Sequence, residues 1–66
     1  MISYEACIAQ YEAEARKLAD LAADYREKEK EATRLSDKLE LRERANMYEE
    51  LSIEKRVEAR NLRERL

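Results

Sequence analysis

Arg26-Glu27-Lys28-Glu29-Lys30-Glu31-Ala32-Thr33-Arg34-Leu35-Ser36-Asp37-Lys38-Leu39-Glu40 is the stretch whose reading decides between two folds. Its first six residues are all charged, and burying any of them without a partner is costly. An apolar stripe running into this segment must therefore thin. The residues that follow hold the only capping chemistry in the middle of the chain. Asp37 and Glu40 stand at the spacing of a capping box, with Asp in place of the usual Ser or Thr. That spacing predicts a helix restarting at Asp37.

Upstream, Tyr4, Ile8, Tyr11, Ala15, Leu18, Ala22 and Tyr25 follow one another at alternating spacings of four and three, the signature of a helical packing seam. Cys7 and Leu21 widen it on one side and Ala19 on the other, as in a bundle helix. Extrapolated, its next two positions are Glu29 and Ala32. A weaker stripe of Ile2, Ala6, Ala9 and Ala13 lies across the helix from the first. Downstream, Leu41, Ala45, Tyr48, Ser52, Lys55, Ala59, Leu62 and Leu66 form a new seam, offset by two residues from the first register. Leu51 flanks it. Leu35, Leu39, Ile53 and Val57 fall on a different side, about 150° or more away by helical rotation.

The chain contains no glycine and no proline, and 45% of it is charged, so the residues that punctuate other architectures are missing and an all-α fold follows. Two offset seams favour a helical hairpin, one domain over residues 1–66, with helices near 3–34 and 37–65 reversing at Leu35 to Asp37. Arms about 45 Å long then bury their seams together. The alternative is one continuous helix about 100 Å long in an extended coiled coil. A chain of 66 residues with four tyrosines and no Phe or Trp has few bulky groups to bury. Self-association into a homodimer, as a four-helix or coiled-coil assembly, is the expected remedy. The residues assigned to it are Tyr4, Ile8, Tyr11, Ala15, Leu18, Ala22, Tyr25, Tyr48, Leu51 and Leu62.

Site chemistry is sparse. There is no histidine, the commonest general acid/base at neutral pH, and no glycine for a phosphate-cradling loop. The glutamates at 27, 29 and 31 and at 50, 54 and 58 are interleaved with lysines and arginines and read as solvated charge rather than a metal site. Ser3, Ser36 and Ser52 lack a basic partner and read as caps or surface residues, and Cys7 as a reduced, partly buried thiol. No catalytic residue, cofactor, metal or small-molecule substrate is assigned. The longest apolar run, Ala6-Cys7-Ile8-Ala9, is far short of a membrane span, and a cytoplasmic location is expected.

The net charge of −2 conceals an asymmetry: residues 1–40 carry seven basic and ten acidic side chains, residues 41–66 seven and six. Arg56, Arg60 and Arg63 lie along one helix face at spacings of four and three. Beside them, Leu39, Ile53 and Val57 remain unclaimed by the seam. This combination points to a non-enzymatic interaction protein, an adaptor, chaperone-like cap or small inhibitor. Its partner would be anchored on Leu39, Ile53 and Val57, with Arg56 and Arg60 at the rim. The alternative is a small dimeric regulator that binds RNA or DNA through the C-terminal arginines.

Overall fold

The computed structural model describes residues 3–66, which form two helices, α1 (Tyr4–Glu31) and α2 (Leu35–Glu64), packed as an antiparallel hairpin about 50 Å long. Ile2, a member of the weaker N-terminal stripe, lies outside the described residues. Ser3 caps α1 as its residue type suggests, its Oγ accepting the Ala6 N–H at 3.1 Å. Glu5 in the first turn and Lys28 and Lys30 in the last complement the helix dipole.

The reversal occupies residues 32–34, three positions earlier than the capping-box spacing predicts. Ala32 (φ −68°, ψ 140°) and Arg34 (φ −84°, ψ 136°) are both extended, and no described residue has positive φ. Extended backbone is open to every L-residue, so two such positions turn the chain without glycine. Arg34 is the N-cap of α2 and makes no side-chain capping bond. Asp37 sits inside the first turn, where its charge meets the positive end of the helix instead of capping it. Starting α2 at Leu35 lengthens it by two residues at this end, and its first turn is closed by the Lys38 N–H donating to the Arg34 carbonyl at 3.0 Å.

The two seams meet as expected. The buried positions are Ile8, Ala15 and Ala22 on α1 and Ala45, Ser52 and Ala59 on α2. All recur every seven residues, and all but Ile8 are small, which lets two helix backbones approach closely. The alternate seam positions are bulkier and half-buried: Tyr11, Leu18 and Tyr25 on α1, Leu41, Tyr48, Lys55 and Leu62 on α2. Tyr25 and Tyr48 stack with ring centroids 5.5 Å apart.

Three polar residues in the seams are accommodated in ways that periodicity does not reveal. Ser52, read from sequence as a cap or surface residue, is 2% exposed and donates its hydroxyl to the Ala15 carbonyl of α1 at 2.8 Å. Glu29 is half-buried, where the charged run predicted thin packing. The Arg42 guanidinium donates to one of its oxygens from Nε at 2.9 Å and Nη2 at 2.7 Å. That hydrogen bond and the carboxylate charge hold the Arg42 pKa above its ordinary value. Lys55 Nζ lies 3.2 Å from Glu14 and 5.3 Å from the Tyr11 ring centroid. Its pKa is raised, chiefly by the bond to Glu14. Removing the buried hydroxyl should cost little volume but one hydrogen bond. Ser52→Ala is therefore expected to lower stability by about 1 kcal/mol, read as a melting temperature lower by roughly 4–8 °C. An unchanged melting curve would show that the bond contributes nothing.

Candidate interaction groove

Because each seam is built from a small and a bulky position in alternation, the hairpin has two unlike sides. The tyrosine and leucine positions fill one side, where Leu21 and Leu51 stand exposed at the edge of the stripe. On the other side the small residues leave a groove. Its wider part, about 430 Å³, has Ala15, Ala19 and Ala59 as its floor and Arg16, Arg56 and Arg60 along its walls. It continues past Ala19 and Arg56 into a second part of about 290 Å³ that reaches Ile53. Five arginines and two glutamates line the whole, a local excess of positive charge on a chain of net charge −2.

The charge pattern follows the heptads. Residues 12, 19 and 26 hold one equivalent position on α1, and 49, 56 and 63 hold the matching one on α2. At one end Glu12 is paired with Arg63, and at the other Arg26 with Glu49 and also with the Asn46 side chain at 3.2 Å. The middle layer has Ala19 in place of an acid, across from Arg56. Arg16, Arg56 and Arg60 form no ion pair among the described residues. An uncompensated group of guanidiniums therefore lies between two neutralised layers.

Of the residues assigned from sequence to a partner surface, Arg56 and Arg60 line this groove and Ile53 stands on its α2 wall. Ile53 is 52% exposed and Val57, one turn on, 45%. Leu39 is 47% exposed but lies two heptads from Ile53, about 21 Å along the helix, and is not brought into the same patch. The contribution of Arg16, Arg26 and Ala19 from α1 is absent from the sequence reading. The signal was present in the heptad positions of 12, 19 and 26, but it becomes legible only once the helices are known to be antiparallel and in this register.

The residues assigned to self-association are mostly drawn into the contact between α1 and α2. Ile8, Ala15 and Ala22 are buried, and Tyr11, Leu18, Tyr25, Tyr48 and Leu62 half-buried. Tyr4 and Leu51 remain exposed. Cys7 is half-buried and unbridged. Among the described residues no helix is long and apolar enough to cross a membrane, and no three Cys, Asp or Glu side chains are grouped to hold a metal ion. Comparison of the chain with protein-family models, curated proteins and solved structures finds no match.

Proposed function

We propose that this chain is a non-enzymatic cytoplasmic interaction protein that binds another protein through the exposed face of α2, acting as an adaptor, cap or small inhibitor. The observation that carries this reading is the pair Ile53 and Val57. Two β-branched apolar side chains are left about half in solvent, one turn apart, on the helix that carries Arg56 and Arg60, whose guanidiniums form no ion pair among the described residues. Apolar anchors with a charged rim are the usual anatomy of a small protein interface. The nucleic-acid alternative rests on Arg56, Arg60 and Arg63, of which Arg63 is already engaged by Glu12.

The experiment is affinity capture from the native host, with and without nuclease, comparing the wild type with the double variant Ile53→Ser, Val57→Ser. Both positions are outside the seam, so helicity and melting should stay nearly unchanged while capture of a protein partner is lost. Capture that vanishes on nuclease treatment would replace this reading with nucleic-acid binding. Homodimerisation is part of the same proposal, and it falls to the surface the hairpin leaves open, at Tyr4, Leu21, Met47 and Leu51, all of them exposed. A dimer there makes the melting temperature rise with protein concentration. Sedimentation showing only monomer at micromolar concentration would remove it.

A further inference from the structure

We propose that the groove between α1 and α2, rather than a face of α2 alone, is the receptor for that partner, and that its occupant is an acidic helical segment whose carboxylates sit on Arg16, Arg56 and Arg60. This inference rests on the protein-binding reading above.

The internal ion pairs state what the middle layer lacks. In the layers on either side, an arginine of one helix meets a glutamate of the other: Arg63 with Glu12, and Arg26 with Glu49. At Ala19 the carboxylate is missing, so Arg56 faces a methyl group, with Arg16 and Arg60 beside it. A carboxylate supplied from outside completes the pattern, and it does so in a recess where charge-assisted bonds to guanidinium are stronger than on an open surface. The small floor at Ala15, Ala19 and Ala59 lets a third helix settle between the first two, along the direction of the groove. Ile53 on the α2 wall offers that helix an apolar contact.

The same geometry disfavours an extended phosphate backbone. Arg56 and Arg60 are one helical turn apart, about 6 Å along the axis. Beyond them lie the Arg63–Glu12 and Arg26–Glu49 pairs, layers that are already neutral and offer a longer polyanion no further free guanidinium. Two or three carboxylates spaced along a single helix face match the uncompensated arginines, and a run of phosphates overshoots them.

The test uses the full chain and a fluorescently labelled synthetic helix with glutamates at spacings of three and four and leucine on the same stripe, measured by anisotropy. Ala19→Glu supplies the missing carboxylate from within. It should preserve or raise the melting temperature and weaken peptide binding by about tenfold or more. Ala19→Gln puts the same bulk on the groove floor without the charge, so it should bind the peptide at least about threefold more tightly than Ala19→Glu, which separates charge from bulk. Arg16→Gln, a change on α1, should weaken binding by about tenfold. The proposal is overturned if the wild-type chain does not bind the peptide, or if Ala19→Glu and Ala19→Gln bind it equally. It is also overturned if oligo-dT of matched charge binds more tightly than the peptide, with a steep salt slope. The two readings fail separately. If the host partner is lost with Ile53→Ser, Val57→Ser and retained by Ala19→Glu and Arg16→Gln, the α2 face stands and the groove does not. If none of these variants loses the partner, both are wrong.

Discussion

Ala45→Glu is expected to unfold the hairpin. Ala45 is the most enclosed residue of the seam, 0% exposed, on α2 where the two backbones approach through small side chains. A longer side chain there forces the helices apart, and overpacking of this kind costs about 1–3 kcal/mol. The added carboxylate is also buried without a cation assigned to it, and leaving such a charge unpaired costs about 3–5 kcal/mol more. A chain of this size has a total stability of only about 3–10 kcal/mol. Loss of most of the helical circular dichroism at 25 °C follows, because neither helix retains a packed face once the other has left. Ala13→Glu, a change of the same chemistry at an exposed position of α1, is the control and should melt like the wild type. If Ala45→Glu also melts within a few degrees of wild type, the helices do not pack at this point.

Spin labels at residues 4 and 62 should report a short intrachain distance. In the antiparallel register defined by Ser52 with Ala15 and Arg63 with Glu12, the two positions sit near the open end of the hairpin. Their backbones are then roughly 12 Å apart, from the axial rise and the interhelical spacing. One continuous helix places them about 87 Å apart. The difference matters because the reversal at residues 32–34 contains no glycine and no residue with positive φ. Straightening it and exchanging arms between two chains would preserve the same seams in a swapped dimer. Labelled chains must therefore be diluted in unlabelled ones, so that only intrachain pairs contribute. A long distance under dilution would replace the hairpin with a rod, and the groove would then be built from two chains.

The sequence by itself determined the helices and the faces they bury. Absence of Gly and Pro, with apolar residues at spacings of four and three, leaves an α-helix as the only element that places Ile8, Ala15 and Ala22, or Ala45 and Ala59, on one stripe. The offset between the two stripes carried the hairpin, since a single register could not serve both. The site of the reversal was not legible, because Asp37 and Glu40 fit a capping pattern that the chain does not use, and extended φ/ψ at Ala32 and Arg34 leaves no mark in residue type.

Only the tertiary structure decided what the polar seam residues do and where the free positive charge collects. Ser52, Glu29 and Lys55 look like defects along one helix. Each finds its partner on the other: the Ala15 carbonyl, Arg42 and Glu14. The arginine groove has the same origin. Arg16 is 40 residues from Arg56, and its place beside that residue depends on antiparallel register. Whether a charge is neutralised depends on which residue faces it across the interface: Glu12 faces Arg63, Glu49 faces Arg26, and an alanine faces Arg56. Periodicity along one helix defines a face, but pairing between helices is long-range, and a one-dimensional pattern holds no record of it until the register is known.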